Sequence, residues 1–112
     1  MPTDAEMIAY AKRLPPIYRE VMAAFPAIEP SRKAGYGLAF QTLAIHFANT
    51  GRGYSLGDVQ NACMRLADSG FLEIRNGIFA HPTDLGEQLI AAVTGGPRAP
   101  VANVPELPTP TW

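Results

Sequence analysis

A mainly α-helical domain with one short β-hairpin is predicted by three observations. Apolar residues recur at helical spacing in four separate segments, each bounded by proline, glycine or a capping residue. Residues 69 to 83, SGFLEIRNGIFAHPT, read as a post-helix glycine, a strand, an Asn76-Gly77 turn, a second strand and a helix start. The last stretch, GGPRAPVANVPELPTPTW, holds five prolines and is unsuited to a core. The 112 residues therefore divide into one domain over 1–95, with about 90 residues to fold, and an extended proline-rich tail over 96–112.

A first short helix is predicted over MIAYAKRL, with Asp4 and Glu6 in its opening turn, where acidic groups suit the helix dipole. Pro15-Pro16 ends it, and Pro16 also fits the first turn of the next helix, IYREVMAAF. Ile17, Val21 and Phe25 stripe that helix for burial, and Pro26 is expected to close it. AIEPSRKAGYG is a loop by its proline and glycines, and Arg32-Lys33 makes it the most basic point of the chain. A third helix is predicted from Leu38 to Asn49, with Phe40, Leu43, Ala44 and Phe47 on one face, stopped by Gly51 and Gly53.

Ser55 is a candidate N-cap for LGDVQNACMRLADSG, with Asp58 reaching back as a short capping-box partner. Val59, Ala62, Cys63 and Leu66 share the buried side of that helix. Asp58, Gln60, Asn61, Met64 and Arg65 are left for solvent. Gly70 stands where a left-handed residue ends a helix. In the hairpin, a two-residue turn pairs Arg75 with Ile78, Ile74 with Phe79, Glu73 with Ala80 and Leu72 with His81. Leu72, Ile74, Phe79 and His81 then face the core, and Glu73, Arg75, Ile78 and Ala80 face out. A last helix runs from Thr83 to about Val93, striped by Leu85, Leu89, Ala92 and Val93.

The formal net charge of -1 excludes a global basic field of the kind that draws in nucleic acid from a distance. The charge is nevertheless uneven: residues 31 to 81 hold five basic against three acidic residues. The single cysteine, Cys63, cannot form an internal disulfide, and MPTDAEMIAY has neither the basic nor the apolar region of a secretion signal. No apolar run is long enough for a membrane span, so a cytoplasmic location is expected. His46, Cys63 and His81 are too few and too scattered for a zinc site, and the two histidines read as packing or hydrogen-bonding residues. Without a glycine-rich phosphate loop, a GxSxG turn or a tuned carboxylate pair, neither an enzyme nor a cofactor is expected.

The order helix, helix, helix, glycine, hairpin, helix is that of a winged helix-turn-helix. GDVQNACMRLADSGFLE resembles the recognition helix and strand entry of MarR-like transcriptional regulators, and HPTDLGEQLIAAV resembles the Thr-x-x-Gly start of the helix after their wing. The likeness spans residues 36 to 93. It implies a small bacterial regulator that binds double-stranded DNA as a homodimer, with helix 55–69 in the major groove. Family wings usually carry longer basic loops, and family dimers usually form through long terminal helices; this chain has a two-residue turn and a proline-rich end.

On that likeness Ser55, Gln60, Asn61 and Arg65 lie on the DNA-facing surface. Gln and Asn can bond bidentately to adenine, and Arg to guanine. Arg32, Lys33 and Arg52 are candidate phosphate contacts, and Arg75 is the one basic residue of the wing. A second reading is a winged-helix protein-interaction module that does not bind DNA. It draws on the near-neutral charge, the sparsely charged wing and a tail whose Leu107 and Trp112 would anchor a protein partner.

Overall fold

A computed structural model describes residues 2–94 and 107–110 of the chain. Among these, five helices surround a small antiparallel sheet: α1 (Asp4–Arg13), α2 (Pro16–Ile28), β1 (Leu38–Ala39), α3 (Phe40–Asn49), α4 (Leu56–Asp68), β2 (Leu72–Arg75), β3 (Phe79–Pro82) and α5 (Asp84–Val93). The sheet order is β1-β3-β2. Helix α5 packs on α1 and α2, and α4 packs on α2 and α3. One core results, with Met7, Ile17, Tyr18, Val21, Met22, Phe25, Leu43, Phe47, Val59, Leu66, Phe71 and Leu89 at its centre.

Local signals fix most element ends. Thr3 and Glu6 form a reciprocal capping box on α1, and Ser55 and Asp58 form the one expected on α4. Helix α4 ends as expected at Gly70, whose φ is +86°. The Gly70 amide donates to the Ala67 carbonyl at 3.0 Å and the Phe71 amide to that of Leu66 at 2.9 Å, a Schellman ending. Thr83 caps α5 by accepting from the Gly86 amide at 3.1 Å.

Three expectations are corrected. Pro26 does not close α2, which runs on to Ile28. Proline in the last turn removes one backbone bond, while the Glu29 amide still closes on the Phe25 carbonyl at 3.1 Å and Ile28 still packs against the core. The third helix starts at Phe40, because Leu38 and Ala39 pair with Ala80 and Phe79 as an edge strand. The Phe40 amide extends that pairing to the Ile78 carbonyl at 2.9 Å.

The hairpin register is also one residue away from the expected one. Arg75 pairs with Phe79, Ile74 with Ala80, Glu73 with His81 and Leu72 with Pro82, so three residues form the loop. Asn76 and Gly77 both have positive φ, 55° and 70°, but Ile78 joins them in the turn instead of the strand. A shift of one residue exchanges the two faces of a strand. Ala80 and Pro82 are therefore buried, Phe79 is exposed and His81 is half-buried. His81 Nδ1 lies 3.1 Å from the Gly35 carbonyl, and its ring fills the space that a Cβ on Gly37 would need.

The tail is not wholly separate from the domain. Residues 107–110 have no regular secondary structure, as expected, but Leu107 packs against the core. Residues 95–106 and Trp112, the other expected anchor, lie outside the described residues.

Candidate nucleic-acid interface

Helix α4 separates its faces as its periodicity predicts. Val59, Ala62, Cys63 and Leu66 are buried, whereas Gln60, Asn61, Met64 and Arg65 are all exposed. Burial pushes the Cys63 thiol up to about 12, so it stays protonated and unreactive in the folded chain. Ser55 is exposed, but its hydroxyl accepts from the Asp58 amide at 3.1 Å and its own amide donates to Asp58 Oδ2 at 3.0 Å. Both side chains are thereby used in the cap, which also draws the Asp58 carboxylate back onto the helix end.

The start of α4 meets two other elements. Ala39, Phe40 and Gln41 of the β1–α3 junction, Leu56 and Gln60 of α4, and Ile78 of the hairpin loop line one cavity of about 160 Å³. A continuous surface thus runs from the first turn of α3 across α4 to the hairpin. It is partly apolar: Leu56, Met64 and Ile78 are each about half exposed.

The five basic residues of the candidate interface divide into two groups. Arg32 is almost fully buried and makes a bidentate pair with Glu87 of α5, Nη1 lying 2.9 Å from Oε1 and Nη2 bonding Oε2. Its guanidinium also stacks 5.7 Å from the Phe25 ring. Glu87 Oε2 further accepts from the Gly35 amide at 2.8 Å. The Arg32 hydrogen bonds hold the Glu87 carboxyl below its ordinary value, with the Gly35 amide adding to this against the opposing effect of burial. Arg52 pairs at 2.8 Å with Glu20, whose other carboxylate oxygen accepts from the Tyr54 hydroxyl. Glu20 is buried, and burial followed by this hydrogen bond raises the Tyr54 phenol well above its usual range. Arg32 and Arg52 therefore tie loops to the helical core and do not face solvent as phosphate ligands.

Lys33, Arg65 and Arg75 remain exposed. Arg75 pairs at 3.1 Å with Glu73 beside it on β2, an exposed contact of little net strength. Lys33 and Arg75 line an open cavity of about 560 Å³ together with Tyr36, Phe79 and His81. Sequence reasoning missed Tyr36 and Phe79: the first stands in an irregular loop, and the second was assigned to the wrong face of β3. Among the described residues no three His, Cys, Asp or Glu side chains are grouped to hold a metal ion, and no helix is long and apolar enough to cross a membrane. Compared with family models, curated proteins and solved structures, the chain finds no match.

Proposed function

We propose that this chain is a winged helix-turn-helix protein of the MarR-like type, a small transcriptional regulator that binds duplex DNA as a homodimer through α4. The observation that carries the reading is the exposed row Gln60, Asn61 and Arg65 on a helix whose opposite side is fully buried. Amide and guanidinium groups in that position suit the acceptors and donors of the major groove. The start of α3 supports the same surface. Its N-cap is Ala39, which offers no capping side chain, and Gln41 and Thr42 in the first turn are exposed. Uncapped amides at a helix start suit a phosphate oxygen. Lys33 and Arg75 flank the surface as the remaining phosphate contacts.

Selection of genomic fragments, followed by polarisation titrations, tests the reading. Gln60→Ala and Asn61→Ala are expected to weaken binding to the selected site by about 1–3 kcal/mol each, while binding to unrelated duplex stays unchanged. Equal loss on both duplexes would remove α4 from base reading.

A second reading is favoured by a different observation. Leu56, Met64, Ile78, Phe79 and Tyr36 expose apolar surface around the same region, as the core of a protein interface does. In that reading the surface receives a protein partner, and no selected fragment is retained above bulk DNA.

A further inference from the structure

Leu107–Pro110 provides its own occupant for a surface that the DNA reading does not use. The Pro108 carbonyl accepts from the Tyr10 hydroxyl at 2.7 Å, across 98 residues of sequence. Leu107 packs against the core and lines a hollow of about 310 Å³ with Arg65, Asp68 and Ser69 at the C-terminal end of α4. Tyr10, which meets the segment through that hydroxyl, is itself buried, and its ring stacks on Phe71 at 5.5 Å with 25° between planes. Burial pushes its phenol up to about 12, so the hydroxyl remains a donor throughout the neutral range.

This chemistry suits one kind of ligand. Prolines at 108 and 110 restrict the backbone to extended conformations and remove two of its four amide donors, so little entropy is lost on binding. An aromatic hydroxyl that donates to a backbone carbonyl, beside apolar surface that takes one aliphatic side chain, is how such segments are recognised. We propose that Tyr10, with the C-terminal end of α4, forms a docking site for an extended Leu-Pro-Thr-Pro segment, occupied in cis by residues 107–110. Only twelve residues separate Thr94 from Leu107, which gives the tethered segment an effective concentration in the millimolar range. The site rests on no part of the DNA reading, although Arg65 borders both surfaces.

The test uses the isotopically labelled full chain, without DNA. Leu107→Asp is expected to move the amide resonances of Tyr10, Asp68 and Ser69, since the residues fully buried in the core all lie before Thr94. A peptide of residues 104–112, VPELPTPTW, added to that variant should return them towards their wild-type positions. The same peptide carrying Leu107→Asp should not. In the Leu107→Asp background, Tyr10→Phe keeps the ring but removes the donor, and is expected to weaken the wild-type peptide about fivefold. Resonances identical in wild type and variant, or an equal response to both peptides, would overturn the proposal. So would wild-type shifts that depend on protein concentration, because a second copy would then be the occupant.

Discussion

Gly86→Ala is expected to destabilise the fold by about 3 kcal/mol or more, although alanine is the better helix former by about 1 kcal/mol. A Cβ on Gly86 would stand 1.9 Å from the Phe71 carbonyl oxygen and 3.0 Å from its carbon. Neither neighbour is the end of a flexible side chain. That carbonyl also accepts from the Thr83 amide at 3.1 Å, and the Thr83 hydroxyl donates to the Gly70 carbonyl at 2.6 Å, so the α5 start and the α4 exit are locked backbone to backbone. Relief would require separating them. Urea unfolding followed by circular dichroism reads the change. Gly57→Ala is the control: its Cβ would meet only Ser55 Oγ at 3.7 Å, and it should be neutral or stabilising by less than about 1 kcal/mol. Equal behaviour of the two variants would contradict the close approach at Gly86.

Arg32→Ala is expected to cost about 3 kcal/mol of stability, near the lower end for a broken buried pair because Glu87 retains 23% exposure. The loss is threefold in origin: the bidentate pair, the contact with Phe25, and the hold that Glu87 exerts on the Gly35 amide. The pair also makes stability depend on pH. Because the folded Glu87 carboxyl lies below its ordinary value of 4.5, its contribution is fully present above that value and is lost as pH falls through the folded one. Arg32→Ala should flatten this acid limb. A phosphate contact would behave in the opposite way, lowering DNA affinity with no change in unfolding.

What the sequence made legible was local. Ser55, Asp58 and Gly70 lie within a turn of the α4 ends they determine, and the Gln60, Asn61 and Arg65 face follows from a period of 3.6 residues. The hairpin was legible as a hairpin but not in register, because Asn76-Gly77 suits either a two-residue loop or the first two positions of a three-residue one. That single slip reversed the faces of Phe79 and Ala80 and hid the aromatic side of the Lys33 and Arg75 cavity. A two-residue strand such as β1 has no pattern of its own, and only the open edge of β3 calls for it.

The basic residues failed for a related reason. A loop arginine reads as solvent-facing until its partner is known, and Glu87 is 55 residues from Arg32. Arg52 is likewise held by Glu20 in another helix. The contact between Tyr10 and Pro108 is of the same long-range kind, and no composition rule would pair a proline tail with the first helix.

Once Arg32 and Arg52 are assigned to the interior, Lys33 and Arg75 would supply the phosphate contacts of the proposed DNA complex, four cations in the proposed homodimer. The salt dependence of duplex binding measures that number directly. For wild type, log K against log salt should fall with a slope of about -4, and for Lys33→Ala with a slope shallower by about 2, whereas Arg65→Ala should lower affinity for the selected site. No salt-dependent binding to any selected fragment, or an Arg65→Ala variant that matches wild type in affinity for the selected site, would contradict DNA recognition by α4.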